Sequence, residues 1–351
     1  MNGLPVIPHS RPSLGEAEAQ AAADVIRAGL LAQGEKVTEF ERALAKVTGQ
    51  DHGVAVSSGT AALFLTLKGL GIGPGDEVIF PSYVCAAPWH AVSQAGATPV
   101  LVDIDPETYH PSPGAVTRAI TSKTKAVIVP HLFGLPADLS ELEKSGIPMI
   151  EDCAQTLGAS MGGRPVGSVG ALTVCSFYAT KLITTGEGGM VLGRSETRMD
   201  RIRTLRQYDE SAALEPGFNY KMTDMQAALG LCQVTALPEL IKRRQAIATQ
   251  YTAALRGLKA DPPAGIPRHD HVFYRYVVRL PQSAESAIKA FAELGVMCRR
   301  PVFKPIHRYL GLTGFSGTDL AWERSLSIPV YPSLLDSEVE RIVDAMREVL
   351  A

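Results

Sequence analysis

A single lysine stands in an apolar and aromatic stretch, Ser176-Phe177-Tyr178-Ala179-Thr180-Lys181, with no acidic neighbour until Glu187. A lysine in a loop is ordinarily solvated. One held among apolar groups is less easily kept charged, and its amine can become a nucleophile. The double glycine behind it, Gly188-Gly189, permits close backbone approach to a ligand. Upstream, Glu151-Asp152-Cys153-Ala154-Gln155 follows the apolar run Pro148–Ile150. A carboxylate at the end of such a strand can hold a cationic ring nitrogen, and it can equally cap the next segment. Further upstream, Ser57-Ser58-Gly59-Thr60-Ala61-Ala62 joins GVAV to ALFLTLKGL. A glycine turn that opens a helix offers free N–H groups and a positive dipole end to an anion. Ser and Thr also cap helices where no ligand binds. A fourth segment, Phe218-Asn219-Tyr220-Lys221-Met222-Thr223-Asp224, precedes the helical pattern AALGLCQV, and Thr223 or Asp224 as its cap is the simplest reading.

Each segment alone has an ordinary explanation. Their order is more specific: a helix-start anion site, a strand-end carboxylate and a strand-end lysine follow one another along one predicted sheet. Pyridoxal 5'-phosphate (PLP) requires those three groups, for its phosphate, its pyridinium nitrogen and its Schiff-base link.

The elements that must position these residues are legible in outline. An amphipathic helix is predicted from Leu14 to about Leu30. A second carries Val37, Phe40, Leu44 and Val47 at helical spacing, with Gly49 as its C-cap. Short apolar runs then alternate with helix-length segments: Val54–Val56, Glu77–Phe80, Thr98–Val102, Ala126–Val129, Pro148–Ile150, Leu172–Cys175 and Met190–Leu192. Such runs predict an α/β fold with a mostly parallel sheet between helices. MGGRPVG predicts a tight hairpin. Helical patterns over Thr223–Thr235 and Pro238–Leu255, a linker over Asp261–Asp270, a strand over Val272–Leu280 and helices over Ala284–Leu294 and Glu338–Leu350 complete the chain. The expected division is a large domain over 1–239, with its N-terminal helical segment, and a small C-terminal α/β domain over 240–351.

Bulk composition narrows the classes. The 34 basic and 36 acidic residues give a net charge of −2, which argues against a broad nucleic-acid footprint. The five cysteines are odd in number and lack a CxxC pair, so neither a disulfide framework nor a metal site is expected. The opening MNGLPVIPHSRPSLGE lacks the apolar core of a signal peptide, and no apolar run reaches membrane-spanning length. A cytoplasmic protein with no membrane contact is the expectation.

The segments AGLLAQGEKVTEFE, SSGTAAL, PSYVCAAPWHAV, GATPVLVDIDPETY, EDCAQTLGA, SFYATKLITTGEGGMV, FNYKMTDMQAALG and LSIPVYPSLLDSEVERI span nearly the whole chain. Together they resemble the DegT/DnrJ/EryC1/StrS sugar aminotransferases, of PLP fold type I. The resemblance implies that Lys181 forms the Schiff base, Asp152 pairs with the ring nitrogen and Gln155 bonds the ring hydroxyl. It gives the phosphate to Gly59, Thr60 and Ser176, with Asn219 reaching it from the other subunit of a homodimer with shared sites. His307, in FKPIHRY, resembles a histidine near the sugar. Where that family has an aromatic residue on the cofactor ring, this chain has Cys85, so the cover is Cys85 itself, Tyr83 or Trp89. Where it commonly reads Arg-x-His-Gly, this chain has Arg206-Gln207-Tyr208-Asp209, which marks Tyr208 as a substrate-pocket departure. The implied reaction moves an amino group from an amino acid, glutamate by resemblance, to a nucleotide-linked keto sugar in amino-sugar biosynthesis. A cyclitol ketone as acceptor and a non-catalytic PLP-binding regulator are the alternatives. A desulfurase would need a reactive cysteine, for which Cys298 is the candidate.

Overall fold

The computed structural model describes residues 5–209, 216–265 and 271–351. Two helices lead the chain, α1 (Glu16–Ala28) and α2 (Glu35–Thr48). Strands and helices then alternate: β1 (His52–Val56), α3 (Gly59–Gly69), β2 (Glu77–Pro81), α4 (Ala87–Gln94), β3 (Thr98–Val102), α5 (Pro113–Ala119), β4 (Thr124–Pro130), α6 (Ser140–Glu143) and β5 (Met149–Asp152). A short hairpin of β6 (Ser160–Met161) and β7 (Arg164–Pro165) turns on Gly162 and Gly163, both at positive φ. It leads to β8 (Leu172–Ser176), β9 (Gly189–Gly193) and α7 (Glu196–Arg206). The C-terminal part holds α8 (Asp224–Ala254), β10 (Tyr276–Arg279), α9 (Ala284–Glu293), α10 (Ile306–Leu310), α11 (Ser316–Arg324), β11 (Ser325–Ile328) and α12 (Asp336–Val349).

Seven strands form the central sheet in the order β1-β9-β8-β5-β4-β2-β3. All pairs are parallel except those of β9, which runs against both β1 and β8. The side-chain period of two explains why these strands read as unbroken apolar runs. Val54, Val56, Val78, Phe80 and Val174 face one layer with α3, α4 and α7, while Ala55, Cys175, Met190 and Leu192 face another with α2 and α8. Ile79, Val127 and Val129 meet α5 and α6. A separate core joins the second half of α8 to β10, β11, α9 and α12, and Ile7 packs into it.

Two expectations need correction. The two predicted helices around Pro238 are one 31-residue helix, α8. Proline removes one N–H bond from an interior turn, but Leu237 beside it is buried and α8 packs against both α1 and α2, so tertiary contacts hold the helix through it. The expected 239/240 division therefore lies inside α8. The predicted strand over Val272–Leu280 is shorter, Tyr276–Arg279. Its first residues turn away to bond the loop after β4: the Val272 N–H donates to Gly134 O and the Arg275 N–H to Phe133 O. Of the predicted linker, residues 266–270 lie outside the described residues.

Candidate active site

The C-terminal ends of β1, β8, β5, β4 and β2 lie along one edge of the sheet, and four of them carry predicted site residues into the connecting loops. At the end of β1, Ser58 caps α3: its hydroxyl accepts the Ala61 N–H at 3.1 Å. The capping role thus belongs to Ser58. The N–H groups of Gly59 and Thr60 have no protein acceptor among the described residues and are available to an anion. A Cβ on Gly59 would lie 2.8 Å from the Ser176 Cβ, so only glycine lets the α3 start approach the end of β8. Gly189 sits between them, paired with Val56 on one side and Ser176 on the other.

At the end of β5, Asp152 is almost wholly buried. Among the described residues its carboxylate accepts one hydrogen bond, from the Ala154 N–H at 3.0 Å. Burial pushes its carboxyl above the usual range, against the pull of that N–H and of the Lys181 charge. A buried carboxylate so placed favours a cationic partner. Gln155 turns its Oε1 to the Phe133 N–H at 2.9 Å, which leaves its Nε2 donors for a ligand oxygen. Behind Asp152 lies a closed network. Glu151 accepts from His131 Nε2 at 3.0 Å and from the N–H groups of Gly167, Val169 and Gly170. The His131 Nδ1 accepts the Ala137 N–H, so this ring is a neutral donor to Glu151. With Cys153 these groups sit close enough for a metal ion, but every oxygen of Glu151 and both nitrogens of His131 are already satisfied, and burial drives the Cys153 thiol well up.

Lys181 follows β8 in a loop tied down at both ends. The Phe177 N–H donates to Gly188 O, the Thr185 N–H to Phe177 O, and the Phe177 ring packs edge-on to Phe40 at 5.0 Å. The half-buried lysine lies with its Nζ over the Tyr274 ring, 5.4 Å from the centroid. Its charge acts on Asp152, Cys85 and Tyr274 alike, which places the three around one amine.

The open choice of ring cover narrows on geometry. Tyr83 is fully buried, stacked on Tyr109 at 5.7 Å and edge-on to Phe133. Trp89 is half-buried against the α3 side of the sheet. Cys85 alone is exposed while lying under the influence of Asp152 and Lys181. Its dense surroundings push its thiol up, which keeps it neutral.

Other predicted residues stand apart. His307 is buried, with Nδ1 2.8 Å from Ser82 Oγ and Nε2 3.3 Å from Asp319, so both ring nitrogens already have protein partners. Tyr208 is exposed beyond the end of α7. Asn219 is exposed between the stacked rings of Phe218 and Tyr220, with no partner among the described residues. Cys298 is buried and its thiol is raised, which removes the nucleophile a desulfurase needs. Sequence reading missed Tyr274, and it missed a cavity of about 870 Å³ beside Thr180. That cavity collects Arg275, Arg299, Arg300, Lys304 and Arg308 against one carboxylate, Glu285, with the rings of Tyr178, Phe303 and Trp322. The run RRPVFKPIHR was the available signal.

The residues brought together fit PLP: an uncovered pair of N–H groups facing Ser176, a buried carboxylate with a single bond, a free amide and an amine. Comparison with known proteins agrees. Spore coat polysaccharide biosynthesis protein SpsC of Bacillus subtilis is 34% identical, over 98% of this chain and 97% of its own. Spr1654 of Streptococcus pneumoniae, assigned as a sugar aminotransferase and solved in PLP and pyridoxamine phosphate forms, superposes with TM-scores of 0.92 and 0.93. It is 30% identical, and the match to its pyridoxamine phosphate form covers 98% of this chain and 97% of that one. The aminotransferase TlmJ of Streptoalloteichus hindustanus gives a TM-score of 0.93 at 32% identity, covering 98% of each chain. Residues 12–347 match the DegT/DnrJ/EryC1/StrS aminotransferase family. An anion cradle, an acid and an amine at one sheet edge are thus what a PLP-dependent aminotransferase requires, and the chain belongs to the DegT/DnrJ/EryC1/StrS family of those enzymes.

Proposed function

We propose that this aminotransferase moves an amino group from an amino acid, glutamate, to a nucleotide-linked keto sugar in amino-sugar biosynthesis. The basic, ring-lined cavity beside Thr180 carries this reading. Arg300 pairs with Glu285 and Arg308 with Asp319, while Arg275, Arg299 and Lys304 have no carboxylate partner among the described residues, a surplus that suits a diphosphate; the exposed rings of Tyr178 and Phe303 offer faces for a base. A cyclitol ketone would leave most of those cations without a counterpart.

When bound, PLP supplies a carbonyl that carries the amino group and a ring that accepts charge from the reacting carbon. The chain's residues do the rest. Gly59 and Thr60 donate N–H groups to the phosphate, and Ser176 adds its hydroxyl. Asp152 keeps the ring nitrogen protonated, Gln155 Nε2 donates to the ring oxygen, and Cys85 covers the ring. Lys181 Nζ first links the cofactor, then takes a proton from one carbon and returns it at another. Asn219 of the partner subunit reaches the phosphate in a homodimer, a role that suits an exposed amide with no partner among the described residues of its own chain. Tyr208 and His307 belong to the substrate side, His307 through Asp319 and Arg308. Residues 1–239 and 240–351 act as two domains that share α8, in a cytoplasmic protein. Among the described residues, no helix is long and apolar enough to cross a membrane.

The test has two arms. Lys181→Ala abolishes turnover and the visible absorbance of bound PLP; retention of both sinks the site. Arg299→Ala, at an exposed cavity cation, raises KM for a nucleotide-linked amino sugar in 2-oxoglutarate-dependent deamination and leaves KM for glutamate unchanged. Equal effects on both substrates would refute the nucleotide assignment.

A further inference from the structure

Tyr274 lies at the centre of an unusual arrangement of charge. Its ring carries two cations, Lys181 Nζ and Arg275 Cζ, each 5.4 Å from the centroid. A third, the buried guanidinium of Arg244, bonds its carbonyl from α8 and has no carboxylate partner among the described residues. Thr180, on the lysine loop, lines the same gap as Tyr274. His9 and Arg11 line the same gap from the N-terminal segment, and Tyr331 lines it from the turn after β11. His9 is held neutral by burial and by Arg275 and Arg299, and Arg11 is paired with Glu338. Among the described residues, no carboxylate lines the gap. A buried cation cluster needs an anion, and the phenol is the group that can become one.

We propose that Tyr274 is a positioning residue for Lys181, seating its ammonium on the ring face and serving as its counter-anion while the lysine is free of the cofactor. This rests on the reading of Lys181 as the cofactor lysine. Such a lysine must leave the cofactor and return in every cycle. Asp152 is the other anion within its influence, and a lysine paired there would neutralise the carboxylate meant for the ring nitrogen. Tyr274 gives the free amine a different seat. Ionisation supports this geometry: burial pushes the phenol up, but Lys181, Arg275, Thr180 and Arg244 outweigh it and bring it down to about 8. Burial instead raises Tyr83, Tyr109, Tyr251, Tyr276 and Tyr331.

The full-length chain, without and with PLP, tests this. Without PLP, absorbance at 295 nm is expected to show one tyrosinate step near pH 8, with the amplitude of one of the ten tyrosines. The step disappears in Tyr274→Phe. It moves up by roughly one pH unit in Lys181→Ala, which removes the neighbouring charge. With PLP, Tyr274→Phe loses the component near pH 8 from the pH dependence of turnover. Absence of the step, its persistence in Tyr274→Phe, or an unmoved midpoint in Lys181→Ala would each overturn the proposal. The lysine arm uses native Tyr274, so it stands even if the phenylalanine variant folds poorly. Visible PLP absorbance retained in Lys181→Ala would instead refute the cofactor-lysine reading, whatever the tyrosinate step does.

Discussion

Gly189 gives the sharpest test of the phosphate cradle. Its φ lies outside the left-handed region, so conformation does not demand glycine there. Space does. A Cβ would stand 2.7 Å from Gly59 N and closer still to the Ser58 carbonyl, where real Cβ atoms essentially never come under 3.0 Å. Both neighbours are backbone, so no side chain can swing aside. In Gly189→Ala the Ser58–Gly59 peptide must retreat by about 0.5 Å or more, an overpacking that costs about 1–3 kcal/mol of stability. The retreat also turns the free N–H groups of Gly59 and Thr60 away from Ser176. Hydrogen bonds to a charged group are worth about 1.5–3 kcal/mol each, so losing one weakens PLP roughly 10- to 150-fold. Gly163→Ala is the matched control. Its Cβ would meet nothing within 4 Å, but its φ of 79° in the β6–β7 hairpin strains any other residue. That change costs about 1 kcal/mol of stability and leaves PLP affinity as it was. Equilibrium PLP titration by visible absorbance, with thermal melts of the cofactor-free proteins, separates the two effects. Wild-type PLP affinity in Gly189→Ala would refute the cradle, even if its melting temperature fell.

Two further outcomes follow from buried carboxylates. Because burial raises the folded pKa of Asp152, its ionisation opposes folding once pH exceeds the ordinary carboxyl value. Asp152→Asn keeps an acceptor for Ala154, so the cofactor-free protein melts higher at neutral pH, with the gain vanishing in acid, while turnover drops by on the order of 100-fold; a lower melting temperature at pH 7 would contradict this. Glu151 has the opposite sign: burial raises it, but His131 and the backbone N–H groups hold it below the usual range. Its stabilisation is complete above the unfolded value and lost as pH falls through the folded one. Glu151→Gln costs about 2–4 kcal/mol and flattens the acid limb of a urea-unfolding series from pH 7 to pH 3; an unchanged limb would show that the network is not ionic.

Much of this was legible because the chemistry lies where local sequence signals are strong. Apolar runs covered on both faces named the strands, and the strand ends named Asp152, Ser176 and the loop of Lys181. The α3 start was legible too, although the sequence left open whether its hydroxyls cap or bind; Ser58 caps, and Gly59 and Thr60 stay free. What escaped depends on contacts far apart in the chain. Tyr274 sits in FYRY, a pattern that predicts a strand, and only the bonds from Val272 and Arg275 to the loop after β4 bend that segment toward Lys181. Pro238 suggested a break, because a local rule cannot know that α8 is packed from both sides. The cover residue could not be chosen from sequence because Cys85, Tyr83 and Trp89 are neighbours in the chain that point into three different environments.

His307 shows how the substrate side connects to the cofactor side. Ser82 Oγ accepts the His307 backbone N–H at 2.9 Å and lies 2.8 Å from its Nδ1. The other ring nitrogen, Nε2, lies 3.3 Å from Asp319. Asp319 also takes Arg308 Nε at 2.7 Å, and Arg308 lies over the Trp322 ring in the basic cavity. Ser82 stands at the end of β2, three residues before Cys85. A chain of direct contacts therefore runs from a cation of the cavity, through a buried histidine, to the turn that carries Cys85. With both ring nitrogens in contact with protein groups, His307 would influence a substrate through Asp319 and Arg308. On the proposed reading, discrimination between acceptors falls to the cavity at the other end of that chain.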